Sequence, residues 1–153
     1  MEEKAKSRAE RAAEYFRMGY NCCQSVALAF ADKFGENSEQ GVAALASGFG
    51  GGFARQREVC GCVSGMTLVA GAVLPADPEN MESRTRNYAF VQKLCAEFRE
   101  AQGSIICREL LGIRKEAAPE PPKPSERTPA YYHSRRCEDY VACAAAILEK
   151  NLL

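Results

Sequence analysis

Tryptophan is absent from the 153-residue chain, and histidine occurs once, at His133. With a single imidazole, reactions that rest on a histidine base have little to draw on. His133 reads as a surface residue with no partner carboxylate. No C-x-x-C pair occurs, so zinc-finger spacing is missing as well. Neither sign of charge is in excess: 20 Lys plus Arg balance 20 Asp plus Glu. No overall field draws the chain to nucleic acid or to anionic lipid. The longest apolar run, Cys62 to Leu74, is broken by Ser64, Gly65, Thr67 and Gly71 and is too short to span a bilayer. Residues 1–17 begin with glutamates and are charged throughout, unlike a signal peptide. No segment alternates in the manner of a strand, and no internal repeat is visible.

What the chain has is sulfur. Its eight cysteines are Cys22, Cys23, Cys60, Cys62, Cys95, Cys107, Cys137 and Cys143. A chain of this length buries a core without disulfide staples, so the cysteines are not required as a scaffold. The expectation is a protein of a reducing, cytoplasmic compartment, where clustered cysteines are more often metal-binding or catalytic than cross-linked.

The helical signals are frequent. The spacing predicts helices over Glu2–Met18, over Cys22–Phe34 with Asn21 as cap and Gly35 as stop, and from Ser38 to Ser47. Val26, Phe30 and Phe34 give the second a buried stripe. Gly48-Phe49-Gly50-Gly51-Gly52 reads as a loop whose glycines permit positive φ and close backbone approach. It lacks the third glycine and the preceding strand of a dinucleotide fingerprint. Further helices are expected over Cys62–Leu74, from Pro78 to Gly103, from Ser104 to Leu111, and over Arg135–Leu152 with Ser134 as cap. In the long one Tyr88, Val91, Leu94, Cys95 and Phe98 form the apolar side. Residues 116–129 hold five prolines and read as a surface loop, extended or disordered. The fold class is all-α: an irregular bundle of about six or seven helices in a single domain over 1–153.

Four cysteines fall at or near predicted helix starts: Cys22, Cys60, Cys107 and Cys137. A thiol reacts as its thiolate, and a helix N-terminus favours that form. Cys107 and Cys137 would each occupy the third helical position, with Arg108, Arg135 and Arg136 nearby. A free cysteine taken singly is more often a small buried hydrophobe. Cys95 and Cys143 fit that description. Cys23 and Cys62 stay open. Cys60-Gly61-Cys62 can offer two ligands to one metal or an attacking and a resolving thiol.

Gly19-Tyr20-Asn21-Cys22, Gly50-Gly51-Gly52, Cys60-Gly61-Cys62-Val63-Ser64-Gly65, Cys107-Arg108-Glu109-Leu110-Leu111-Gly112 and Cys137 before Tyr140-Val141 form an ordered series. The series resembles the redox-active protein family named for its C_GCAxxG_C_C cysteine pattern, over about Tyr15 to Leu148. The resemblance implies four shared cysteines, matching Cys22, Cys60, Cys107 and Cys137. The family pattern has alanine where this chain has Cys62.

Three functional readings stand. The first is a cytoplasmic thiol redox protein, working by thiol–disulfide exchange or electron transfer. Cys60 would lead with Cys22, Cys107 and Cys137, against a redox partner protein or a small thiol. The second is a binding protein in which the same four cysteines, with Cys62 as a further candidate, hold an iron–sulfur cluster or another soft metal. The third is a structural helical subunit with packing cysteines. Self-association as a homo-oligomer is compatible with so apolar a helical chain.

Overall fold

The computed structural model describes residues 5–36 and 39–153. Helix α1 (Arg8–Arg17) starts later than composition suggests, because Ser7 is its cap and accepts the Glu10 N–H at 3.1 Å. Residues 2–4 of that expected helix lie outside the described residues. Asn21 caps α2 (Cys22–Leu28) as expected. Its side chain accepts the Gln24 N–H at 2.8 Å, and Gln24 accepts the Asn21 N–H at 3.0 Å. The helix ends at Leu28 rather than Phe34. Arg8 Nη1 donates to the Ala29 carbonyl at 2.8 Å, and the chain tightens into a 3-10 turn, Ala31–Phe34. Val26 and Phe30 are fully buried, and Phe34 is half-buried.

Helix α3 is Glu39–Leu45, and its expected cap, Ser38, lies outside the described residues. The glycine segment is more ordered than a plain loop. It forms a 3-10 turn, Ser47–Phe49, and a single turn, α4 (Gly50–Phe53), in which Gly51 and Gly52 are left-handed. Phe53, Ala54, Arg55 and Arg57 continue with positive φ. Left-handed backbone costs on the order of 1 kcal/mol or more per non-glycine residue, so this stretch must be held from outside.

Helix α5 is Gly61–Val73 and α6 is Met81–Gln102, with Asn80 as its cap and Gly103 at its end. Helix α7 (Cys107–Leu111) begins later than Ser104. Ser104 instead accepts the Ile106 N–H and donates to Glu109. The expected last helix is divided. Thr128 caps a short α8 (Pro129–Ser134), Ser134 donates to the Tyr131 carbonyl, and α9 (Cys137–Leu152) starts afresh with Arg136 as its cap. Cys107 and Cys137 are therefore first, not third, residues of their helices. His133 lies on α8 and is exposed.

The core is built where α1 packs on α9, α2 on α5, and α6 on both α5 and α9. Phe16, Val26, Phe30, Met66, Leu94 and Phe98 lie in its middle, with Val141 and Leu148 from α9. Gly65 lets α5 press against α2: a Cβ there would stand 2.8 Å from Val26 Cβ. The apolar side of α6 is narrower than its spacing suggests, since Tyr88 is 60% exposed. Among the described residues there is no strand, only an isolated antiparallel bridge between Val59 and Ile106, and the fold is an all-α irregular bundle. No described helix is long and apolar enough to cross a membrane.

Candidate functional site

A cavity of about 310 Å³ opens between the helix starts, and Cys22, Cys60, Cys62, Cys107 and Cys137 all line it. They arrive from α2, α5, α7 and α9. The bridge at Val59 and Ile106 brings two of them together. Cys60 N–H donates to the Ile105 carbonyl at 2.8 Å, and Cys107 N–H donates to the Glu58 carbonyl at 2.7 Å. Residues 47 apart in sequence are thus paired by backbone, through a contact that no helix period announces. Cys95, Cys143 and Cys23 do not line the cavity. Cys23 is buried in a smaller cluster with Leu28 and Val42, between α2 and α3.

Glycines let the walls close. A Cβ on Gly61 would stand 2.7 Å from Cys22 Sγ, and one on Gly50 would stand 2.6 Å from Asn21 Cβ. Cys22 therefore rests against the start of α5. The Cys62 thiol hydrogen-bonds to it and, against the opposing effect of burial, holds it well below an ordinary thiol, at about 6. Backbone N–H groups of Gly51, Cys22 and Cys23 add to the lowering. The left-handed glycine turn thus has a chemical use: it aims the Gly51 N–H at sulfur. Cys62, 1% exposed, is pushed well above an ordinary thiol by burial and by its two cysteine neighbours. The two titrate as a pair, with the shifts favouring charge on Cys22 over Cys62.

The electrostatic expectation attached to helix starts does not hold at Cys107 and Cys137. Burial pushes the Cys107 thiol up, although Arg57 Nη1 lies 3.7 Å from its sulfur and opposes the shift. Burial, then the neighbouring Cys22, Cys60 and Cys107, pushes Cys137 up to about 12. At Cys107 the helix is only five residues long and has little dipole to offer, and at Cys137, which opens a sixteen-residue helix, burial outweighs the dipole. Cys60, expected to lead, is 5% exposed, where Cys22 is half-buried.

All eight cysteines are free. Lining one cavity is not meeting at one point. Among the described residues, no three His, Cys, Asp or Glu side chains are placed to share a metal ion.

Sequence reasoning missed Arg57, Arg55 and Glu120. Arg57 is 7% exposed, and its Nη2 donates to Glu120 Oε1 at 2.7 Å; Arg55 Nη2 reaches the same oxygen at 3.0 Å. The proline-rich loop is thereby drawn over the cavity, with Pro122, Pro124 and Ser125 at its edge. It is extended, as expected, but attached. Arg127 fastens its far end, donating to the Phe16 and Tyr20 carbonyls at 3.0 Å each and lying 4.3 Å over the Phe16 ring. The only sequence signal was two arginines between the glycine run and Cys60, and spacing cannot pair them with a glutamate 63 residues on.

The Arg57 guanidinium holds the Glu120 carboxyl down to about 2. A lowered carboxyl favours the attached loop above its ordinary range and loses that effect only as pH falls toward 2. Glu120→Ala is expected to speed limited proteolysis within residues 113–128 about tenfold at neutral pH, the equivalent of ~1.4 kcal/mol in loop opening. Mass spectrometry of the cleavage products reads the effect, with circular dichroism as the check on the helices.

No match to the chain was found among curated proteins or among solved structures. The family model described as "Putative redox-active protein (C_GCAxxG_C_C)" matches residues 20–151, a span that contains every cavity cysteine, and the chain belongs to that family.

Proposed function

We propose that the protein is a thiol–disulfide oxidoreductase of a reducing, cytoplasmic compartment, in which Cys22 attacks and Cys62 resolves. The observation that carries this reading is the pair of cysteines at the cavity wall, where Cys22 rests against the start of α5 and hydrogen-bonds to Cys62, a contact that favours the charged form of Cys22 and the neutral form of Cys62. Cys22 is half-buried and lines the cavity, so a substrate disulfide can reach it.

The chemistry balances without a cofactor. Cys22 Sγ⁻ attacks one sulfur of a substrate disulfide. The substrate S–S bond breaks, a mixed disulfide forms on Cys22, and the departing thiolate takes a proton from solvent. Cys62 then gives up its proton and attacks Cys22 Sγ. The mixed S–S bond breaks, the second substrate thiol leaves, and a Cys22–Cys62 disulfide remains. Two electrons have passed to the substrate. Two molecules of a reducing thiol return the pair to its starting state. Cys107 and Cys137, kept protonated by burial, do not compete for the attack.

Removing the resolving thiol tests the assignment. In Cys62→Ser, one equivalent of substrate disulfide is expected to leave a stable mixed disulfide on Cys22, seen by peptide mass spectrometry. The wild-type chain should instead release two thiols and lose two hydrogens. A Cys60→Ser variant that traps the adduct while Cys62→Ser turns over normally would assign resolution to Cys60 and sink the pairing. An adduct found first on Cys60 would sink the choice of nucleophile.

A further inference from the structure

The cavity is far from neutral, although the chain as a whole is. Arg55, Arg57, Arg127 and Arg135 line it, and no acidic residue does. Glu120, at the loop, is a single negative charge set against Arg55 and Arg57. Arg127 spends its donors on the Phe16 and Tyr20 carbonyls but keeps its charge. Arg135 differs from the other three. Its guanidinium makes no hydrogen bond or ion pair with any described residue, and it sits 5.6 Å over the Tyr131 ring, half-buried. It lies two residues before Cys137 and is close enough to act on that thiol's charge.

Four guanidinium groups against the Glu120 carboxylate and the Cys22 thiolate leave a positive excess of two in the cavity. A concave, partly desolvated site concentrates such a field and raises the local concentration of anions. Arginine with a free fork matches a carboxylate in a two-point, charge-assisted pair. Leu110, Leu111, Pro122 and Pro124 supply apolar walls between the charges, suited to a short aliphatic chain. The cavity's size, about 310 Å³, is that of a small-molecule site rather than a protein groove.

We propose that this cavity binds a low-molecular-weight disulfide bearing a carboxylate, with Arg135 taking the carboxylate and Cys22 facing the disulfide. The proposal rests on Cys22 being the attacking thiolate. Attack breaks the substrate S–S bond, leaves the carboxylated half as a mixed disulfide on Cys22, and releases the other half as a thiolate that solvent protonates.

Three small disulfides of similar length and different charge test it: dithiodipropionate (anionic), dithiodiethanol (neutral) and cystamine (cationic). With the reduced full-length chain at pH 7, dithiodipropionate is expected to react about tenfold faster than dithiodiethanol, which in turn outpaces cystamine. In Arg135→Gln the anionic-to-neutral ratio should fall toward one, and Arg135→Lys, which keeps the charge without the fork, should restore part of it. Equal rates for the three disulfides, or a ratio unchanged in Arg135→Gln, would overturn the carboxylate assignment and leave thiol exchange standing. If no disulfide reacts, the exchange reading itself fails. The anion site is then read separately, from alkylation of Cys22 by iodoacetate and iodoacetamide. Its signature is an iodoacetate-to-iodoacetamide rate ratio that falls about tenfold in Arg135→Gln; a ratio that does not move overturns the site.

Discussion

Replacing Cys22 by serine is expected to lower the rate of disulfide reduction on the order of a thousandfold or more, because no other group supplies the attacking electron pair. Serine is close to cysteine in size and occupies a half-buried first helical position, where the Asn21–Gln24 capping box remains intact. The helical circular dichroism should therefore be unchanged. The pH profile of alkylation gives the same group an independent signature. Raising the pH removes the proton, so reactivity rises with pH. For Cys22 the rise should centre near pH 6 and level off above neutrality, since the pair gives up its first proton at about 6. Ordinary thiols are still gaining at pH 8 to 9. Peptide mapping with a pulse of iodoacetamide assigns the fast phase to a residue. A fast phase carried by Cys60, or one centred near pH 8.5, would remove the basis for the mechanism.

Gly52→Ala should be among the most damaging single substitutions outside the cysteines. Gly52 is buried with φ +68°, and a Cβ there would stand 2.6 Å from Cys107 Cβ, 2.8 Å from Arg57 Cα and 2.8 Å from the Glu58 backbone nitrogen. Two of these neighbours are backbone and cannot step aside. Backbone strain and overpacking together are expected to cost about 3 kcal/mol or more, a large share of the stability of an ordinary domain. Urea denaturation measures the loss. The matched control is Gly71→Ala. It lies inside α5 with nothing within 4 Å of an added Cβ, and should be neutral or stabilising by up to ~1 kcal/mol. Similar midpoints for the two variants would show that the glycine turn yields easily. The loss at Gly52 should be accompanied by faster alkylation of Cys107, because the same clash displaces Arg57 and opens that wall.

Legibility varied with the range of the interactions concerned. The Asn21 cap was readable because the capping box spans four consecutive residues. The end of α2 was not, because an arginine twenty-one residues upstream takes the Ala29 carbonyl. Ser104 and Ser134 looked like caps and are not. One bonds within its own turn and to Glu109, and the other closes α8. Each has a side chain able to cap, and only its neighbours decide where that capacity is used. Among the cysteines, order and motif singled out Cys22, Cys60, Cys107 and Cys137, and all four line one cavity with Cys62 beside them. A helix start does not by itself lower a thiol, since burial outweighs the helix N-terminus at Cys107 and at Cys137.

The amino-acid sequence by itself determined the helical class, the capped start of α2 and the four motif cysteines that come to line one cavity, because periodicity, local capping and motif order are properties of neighbours along the chain. Only the tertiary structure decided that Cys62 stands beside Cys22, that two arginines and a glutamate draw the proline-rich loop over the cavity, and that Arg135 is left with a free fork. The reason is the range of the forces. Ionisation and ion pairing depend on desolvation and on the few groups within hydrogen-bonding reach, and here those groups come from α2, the glycine turn, α5 and a loop up to a hundred residues apart in sequence.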